Sequence, residues 1–508
     1  MKYLVLFPLC ILHMNMQAQP GFNRSYDMGG LAAAFGGIEV SGDTVIVYGT
    51  GYEPDASAFG MLFARLDTFG NVIDYKIYND SLGDDFTLVY QNSFMKRPNN
   101  SGYAGVGQVF YRVNGYLSLF DNQGNVVKYI EYKDSVSLTD FYKQVKELED
   151  GFLIAGEKQN PVTYKTEIFI LKTDLQGNII WEKKYPALNR AAYFSQIQII
   201  NSNEYLISST TIKTYFSLSQ QRNTSKIFAI DSLGNIKWQW ESQPSLEEMG
   251  AGQIYKTVDN NWLYMSARGW YNSTYNEISV QPKVIIRDEN FNLIKQDTFD
   301  IANSPVTFFS NSIQLSDGGW LAIGSKPVNY ATPPIFSEFN AVAGWILKID
   351  DQANKVWSRV DTAFWSTQSG STNYLYDAVE LPSGSIIACG YSRTYEPAGK
   401  DWGWLVKISP DGCVDTLSCA TLQAPAHLLP EARVSIYPNP ATSWLHIESQ
   451  DGTLWDKIEL LDMSGRVLQT LYSVSEHRLD VSGLAAGLYV LRLTKAQRSV
   501  TKKVVKRP

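Results

Sequence analysis

Histidine is the scarcest of the side chains that could do chemistry in this sequence. There are four, His13, His427, His446 and His477. None falls between residues 19 and 420, so that stretch holds neither a Ser-His or Cys-His pair nor a zinc site built on imidazole. Four cysteines add little. Cys10 lies in an apolar N-terminal run, Cys389 ends the apolar Ile386-Ile387-Ala388-Cys389, and only Cys413 and Cys419 are close neighbours. CxxC pairs, GxSxG elbows and GxxxxGK[ST] phosphate loops are absent. Carboxylates, Tyr, Lys and Arg remain, and two carboxylates suffice to cleave a glycosidic bond. Residues 19–433 carry 44 Asp and Glu, so some pair is inevitable and the sequence selects none. The pairs Asp84-Asp85 and Asp350-Asp351 are too few oxygens for a calcium loop and read as turn caps. No catalytic, cofactor-binding or metal-binding residue is assigned.

The elements that would have to position such groups are strands. The chain has 508 residues, 44% of them hydrophobic and 13% aromatic, enough for a packed core. Only 19% are charged, and 37 Gly with 30 Tyr suit a turn-rich all-β protein. A formal charge of −7 argues against nucleic acid as a partner, since phosphate binding needs clustered Lys and Arg. The charge is unevenly spread: residues 19–433 carry −11, whereas residues 434–508 carry +3.

Lys2, an apolar run from Tyr3 to Leu12, and a small residue at Ala18 form a secretory signal peptide over residues 1–18. The run is too short to span a bilayer. A lipoprotein reading with Cys10 acylated is the weaker alternative, because Phe7-Pro8-Leu9 lacks the small residues such a site needs. Export makes a Cys413–Cys419 disulfide the expectation, with two free thiols as the alternative.

Self-comparison reveals a repeat. An apolar strand, an Asp, a polar turn often containing Gly-Asn, and a second strand recur, as in LFARLDTFGNVIDYKIY from Leu62 and IFILKTDLQGNIIWEKKY from Ile168. The landmarks are Asp67, Asp121, Asp174, Asp231, Asp288, Asp350 and, in the last copy, Ser409, at intervals of 54, 53, 57, 57, 62 and 59. Each copy follows a hairpin phrase that ends in a small residue: Gly49, Gly107, Gly156, Ser208, Ser266, Gly324 or Gly390. Asp suits capping of turn amides, while Gly and Asn tolerate positive φ. Four short antiparallel strands every 57 residues or so predict a seven-bladed β-propeller over residues 19–420. Phe22-Asn23-Arg24-Ser25-Tyr26 matches the outer strands of later copies and is expected to complete the last blade, with Val414–Leu417 as the rival. The Trp of Gly-Asn-x-x-Trp at Trp181 and Trp238, and Trp357 in Ala-Asn-Lys-Val-Trp, resemble quinoprotein-type propeller repeats, and the period is similar to that of kelch-like repeats. That resemblance implies a blade-docking role for these Trp residues and no oxidoreduction.

A Pro-containing linker, residues 421–433, leads to strand-rich residues 434–508, a small Ig-like antiparallel sandwich. Four blocks stand out there, in order: Tyr437-Pro438-Asn439-Pro440-Ala441, Asp462-Met463-Ser464-Gly465-Arg466, Leu484-Ala485-Ala486-Gly487-Leu488-Tyr489-Val490 and Lys502-Lys503-Val504-Val505-Lys506. Together they resemble the type A C-terminal sorting domain of the type IX secretion system of Bacteroidetes. The motif positions carried over are Pro438, Asn439, Pro440, Gly465, Gly487, Tyr489, Lys502 and Lys503. The resemblance implies the type IX translocon and a sortase-like peptidase as partners, cleavage near residues 420–433, and a cargo attached to surface lipopolysaccharide or released. It says nothing of the propeller's ligand, a polysaccharide or a protein. Near-uniform repeats and missing histidines favour a non-enzymatic ligand-binding or adhesion module. The alternative is a glycoside hydrolase or lyase with acidic residues at the channel mouth. Tyr185–Gln196 and Tyr330–Ala343 are the expected variable rim loops.

Overall fold

The computed structural model describes residues 21–507 except 31, 88–91, 134–138, 186–190, 215–221, 246–250, 273–276, 300–307, 329–340, 365–370, 395–398, 415–433, 450–454, 463–466, 473–477 and 496–497. The leader and Cys419 therefore lie outside the described residues, as do Gly465 and most of the two expected rim loops. The chain divides into two compact units, Met1–Pro410 and Asp411–Pro508.

The larger unit is a β-propeller, built from antiparallel four-strand meanders that follow the repeat. The first runs Ala32–Ser41, Thr44–Tyr52, Gly60–Asp67 and Val72–Tyr78, in sequence order across the sheet. The same order recurs in sheets whose innermost strands are Asp140–Leu148, Ala191–Asn201, Ala251–Lys256, Phe308–Gln314 and Ser371–Glu380. The second sheet departs from the rule, because its innermost strand is broken into Phe86–Thr87 and Phe94–Lys96, both paired with Tyr103–Val109. The last sheet lacks a C-terminal outer strand of its own. Phe22–Tyr26 fills the place by pairing antiparallel with Lys400–Ile408, so the first strand of the chain completes the last sheet, as the sequence pattern predicts. Ala32–Ser41 packs against Ser371–Glu380 and its neighbours, which closes the ring of sheets.

Apolar cores lie between adjacent sheets. Phe35, Ile38, Val45, Val47, Leu62, Ile387 and Leu405 join the first sheet to the last. Tyr142, Phe152, Phe169, Leu117 and Val106 do the same for the second and third. Burying each such side chain is worth about 1.5–3 kcal/mol, so these faces supply most of the cohesion.

The repeated turns are fixed as their residue types require. Asp121 accepts the Gln123 and Asn125 amides at 2.9 and 2.8 Å and the Asn125 side-chain NH2 at 2.7 Å, and Asp67, Asp231, Asp288 and Asp350 repeat the set. The Asn178 and Asn292 amides are the main reason that the Asp174 and Asp288 carboxyls sit below the usual carboxylate range. Asp84 and Asp85 are likewise spent on the backbone amides of Tyr111, Arg112 and Phe59.

Each turn is also a socket for its neighbour. Gly70, Gly124, Gly177 and Gly234 take φ between +76° and +81°. Their carbonyls accept the hydroxyls of Tyr26, Tyr78, Tyr132 and Tyr185, from the outer strand of the preceding sheet, at 2.8–2.9 Å. Trp181 Nε1 donates to the Ser232 carbonyl and Trp357 Nε1 to that of Pro410, again across the junction, whereas Trp238 stays within its sheet on Glu204.

The smaller unit carries a three-stranded sheet, from Val434–Tyr437, Trp444–Ser449 and Arg478–Asp480, and a four-stranded one, from Lys457–Leu461, Val467–Tyr472, Gly487–Lys495 and Arg498–Lys506. Leu445, Ile447, Trp455, Ile458, Leu491, Leu493 and Val504 form their shared core.

The tyrosine socket gives a direct test. Tyr132→Phe removes one buried hydroxyl and leaves the Gly177 carbonyl without its donor, so urea unfolding should show a loss of about 1 kcal/mol. Combined with Tyr185→Phe at a distant junction, the losses should add. No change in either variant would mean the contact is incidental.

Candidate functional site

The innermost strands share a local irregularity. Pairing slips by one residue between Phe35 and Gly37, Tyr142 and Gln144, Phe194 and Gln196, Phe309 and Asn311, and Leu375 and Asp377, and over Ala251 to Ile254 in the fifth sheet. A bulge of this kind re-aims the side chain that follows it. Here it sends polar groups across to the next sheet. Gln144 Oε1 accepts the Ile197 amide at 2.7 Å, Gln196 Oε1 accepts that of Ile254 at 2.8 Å, and Gln253 Oε1 accepts the Ser312 hydroxyl at 3.3 Å. Asn311 donates to Asp377 Oδ1 at 2.8 Å, and the Ile38 amide donates to Asp377 Oδ2 at 3.1 Å, which links the last sheet to the first. Glu39 then accepts the Lys96 amide at 3.1 Å, and the Asn92 carbonyl accepts the Val145 amide at 3.4 Å. The chain of bonds runs once around the ring.

Asn92 does more. With φ at +58° its side chain crosses from the second sheet to the sixth and donates to Asn311 Oδ1 at 3.2 Å. The axis is therefore bridged at this level.

Two carboxylates stand on this ring. Asp377 is wholly enclosed, and burial pushes its pKa up to about 7, opposed by the Ile38 and Ala378 amides and reinforced by the nearby Glu39 charge. Burial also raises Glu39, and the Lys96 amide and Lys146 oppose the rise. The Lys146 ammonium is pushed down by its own burial, with Glu39 and Asp377 pulling it back up. The axis thus gathers an acid that keeps its proton near neutrality, a second carboxylate and a lysine. Such a set can donate and accept protons.

None of these residues was singled out by motif, although a column in the repeat marks them. Gln144, Gln196, Gln253, Asn311 and Asp377 each precede the small residue that ends the hairpin phrase by 12 or 13 positions. Gly37 occupies the column in the first sheet because the Phe94 side chain stands where its Cβ would be, 2.7 Å away.

The sorting-motif residues converge on the last strand. Asn439 donates to the Lys503 carbonyl at 2.7 Å and accepts the Val505 amide at 2.8 Å. Ala441 bonds to both Val505 and Arg507 through its backbone. Pro438 and Pro440, which flank Asn439, both follow cis peptide bonds. Lys502 and Lys503 are thereby held on a strand whose outer edge is covered. Gly487 opens the adjoining strand, and Tyr489 in it donates to the Ala485 carbonyl at 2.8 Å. Cys413 is disulfide-bonded, and its expected partner Cys419 is outside the described residues.

Residues 435–507 match the family described as the secretion system C-terminal sorting domain. Beta-agarase D of Zobellia galactanivorans is 24% identical over 273 residues, which cover 52% of this chain and 49% of that protein. The chain thus spans about half the length of this curated relative. Among solved structures, the β-propeller domain of the Trilobed protease from Pyrococcus furiosus aligns with TM-score 0.39 and 9% identity over 73% of this chain and 95% of its own. The α-L-arabinofuranosidase Arb93A from Fusarium graminearum aligns with TM-score 0.37 and 8% identity over 77% and 98%. The tail is a type IX sorting domain, and it marks the chain for secretion.

Two predictions follow from these geometries. A carboxyl whose folded pKa is raised from an ordinary value of about 3.9 contributes stability below that value and loses it as pH rises to about 7. Asp377→Asn mimics the protonated form, so its melting temperature should gain on the native chain's between about pH 4 and 7 and run parallel above. A pH-independent difference would refute the assignment. In the tail, Asn439→Ala should speed hydrogen exchange at the Val505 amide by about tenfold, the equivalent of about 1.4 kcal/mol. Unchanged exchange would show that Asn439 does not hold the strand.

Proposed function

We propose that the protein is an exported carbohydrate-active enzyme: a seven-bladed propeller over residues 19–420, delivered by a leader at 1–18 and a sorting domain at 434–508, with a linker at 421–433. The type IX translocon recognises the tail, a sortase-like peptidase cuts near residues 420–433, and the cargo is released or attached to surface lipopolysaccharide. The agarase relative supports a glycan substrate over the non-enzymatic adhesion module. The observation that carries the reading is that Asp377 accepts the Ile38 amide at 3.1 Å, one residue from Glu39, so the two carboxyls share the axial ring.

Glycosidic cleavage needs one carboxyl protonated and one ionised at working pH. Asp377, enclosed and hydrogen-bonded to Asn311 and to the Ile38 and Ala378 amides, holds its proton to about 7 and acts on the site through its charge, without touching substrate. Glu39, only half-buried in the strand and with its pKa raised by what burial it has, is the carboxyl that reaches substrate, directly or through water. Asn92 and Asn311 bridge the axis, so substrate enters from one face and does not thread the ring.

The test is incubation of the purified full-length chain with agarose, debranched arabinan and xylan, followed by chromatography of soluble products. The native chain should release oligosaccharides from at least one polymer, and Glu39→Gln should lower the rate about 100-fold or more with its melting temperature kept. A native chain that releases nothing, or a Glu39→Gln variant as active as the native chain, would reject the enzymatic reading.

A further inference from the structure

The junction between the fourth and fifth sheets is one of those that depart from the repeat. At four others a tyrosine from one outer strand meets a glycine carbonyl in the next turn. Between the fourth and fifth sheets the tyrosine's place is taken by Ser242 and the glycine's by Phe291. Phe291 keeps the turn's left-handed backbone, φ +62°, a conformation rarely held by a bulky residue. Five residues after the turn's Asn, Lys76 and Lys183 reach the Asn of the following turn, and Arg24 does the same from the matching register of the first strand. Trp240 stands in that position here. It stacks on Phe291 with ring centroids 5.0 Å apart, while Trp262 lies nearly parallel to Phe291 at 5.9 Å and Trp238 packs against both.

A groove of about 1020 Å³ lies at this junction. Its floor is Trp262 and Phe291, both nearly buried, and its walls are the half-buried Trp238 and Trp240. Glu204 and Glu289 stand at its polar edge, with the amides of Gln239 and Asn290. Both signs of charge are present, since Lys256 Nζ sits over the Trp262 ring at 4.4 Å. Arg287 lies over the Trp240 ring at 4.9 Å, so what the groove offers is the half-exposed part of Trp238 and Trp240 with carboxylates and amides beside it, which fits a ring with apolar faces and a hydroxyl rim. It does not fit a strongly charged polymer.

We infer that this groove is a second saccharide-binding site, which holds a neutral polysaccharide chain where the ends of the innermost strands Ala191–Asn201 and Ala251–Lys256 meet the turn at Glu289–Phe291. The inference takes its ligand class from the proposed function and is independent of catalysis. Phe291 fills the local core from a left-handed turn position that five other turns give to glycine.

Trp240→Lys returns the position to the cation that its counterparts carry, with Asn292 as the acceptor, so the fold should survive. Phe291→Gly restores the common turn residue and serves as a second variant. Affinity electrophoresis of the full chain through gels containing agarose or debranched arabinan reads binding, and product release reads catalysis. The native chain should be retarded by at least one polymer. Both variants should lose retardation tenfold or more while their rate on short soluble oligosaccharides is kept, and Glu39→Gln should be retarded like the native chain. Retardation unchanged in both variants, or no retardation of the native chain, would overturn the site. If Glu39→Gln keeps full activity while the groove variants lose retardation, the axial reading fails and the groove stands.

Discussion

The structure depends on side chains that cross the axis-facing gaps to cap the next sheet's backbone. Every sheet of a ring has an innermost strand whose free edge faces no partner strand, and unpaired amides there carry a penalty. Bulges in the innermost strands aim Gln144, Gln196, Gln253, Asn311 and Asp377 at neighbouring groups. Each such bond is worth about 1 kcal/mol, well below the apolar wedge beside it. The wedges hold the sheets together, and the bonds set how far each sheet is rotated against the next. That division places Glu39 and Asp377 on one ring, although 338 positions separate them in the chain.

The outer circumference follows a second rule. A capped Asp turn presents a glycine carbonyl, and the preceding sheet's tyrosine docks on it. A rule repeated this often makes departures informative. At the fifth-to-sixth junction Phe299 and Ala353 replace the pair, and both are buried in the local core, so the departure there is only a change of packing. At the fourth-to-fifth junction Phe291 likewise joins the local core, with Trp238 and Trp240 packed against it, and a groove remains open beside them.

Much of this was legible in the sequence. The Asp landmarks, their Gly-Asn partners and the N-terminal outer strand followed from residue type and spacing, because turn chemistry and strand period are local. The tail was legible for another reason: Asn439, Tyr489 and Lys503 belong to ordered blocks flush with the chain end. The axial ring was not read, since Gln144 or Asp377 in a strand looks like any polar residue until the bulge that re-aims it is seen. Burial, which decides the protonation of Asp377, is a property of the closed ring and is written in no single repeat. The break of Asn92 away from its strand, needed to bridge the axis, likewise has no signal beyond an Asn that tolerates positive φ.

Native-state hydrogen exchange at the Ile38, Ile197 and Ile254 amides tests the axial ring most directly. These three are capped only by side chains from neighbouring sheets, at 3.1, 2.7 and 2.8 Å. They should exchange together, among the slowest amides of the propeller, with a free energy that follows global unfolding in denaturant. Fast, denaturant-independent exchange at these positions, like that of a surface turn, would contradict the account.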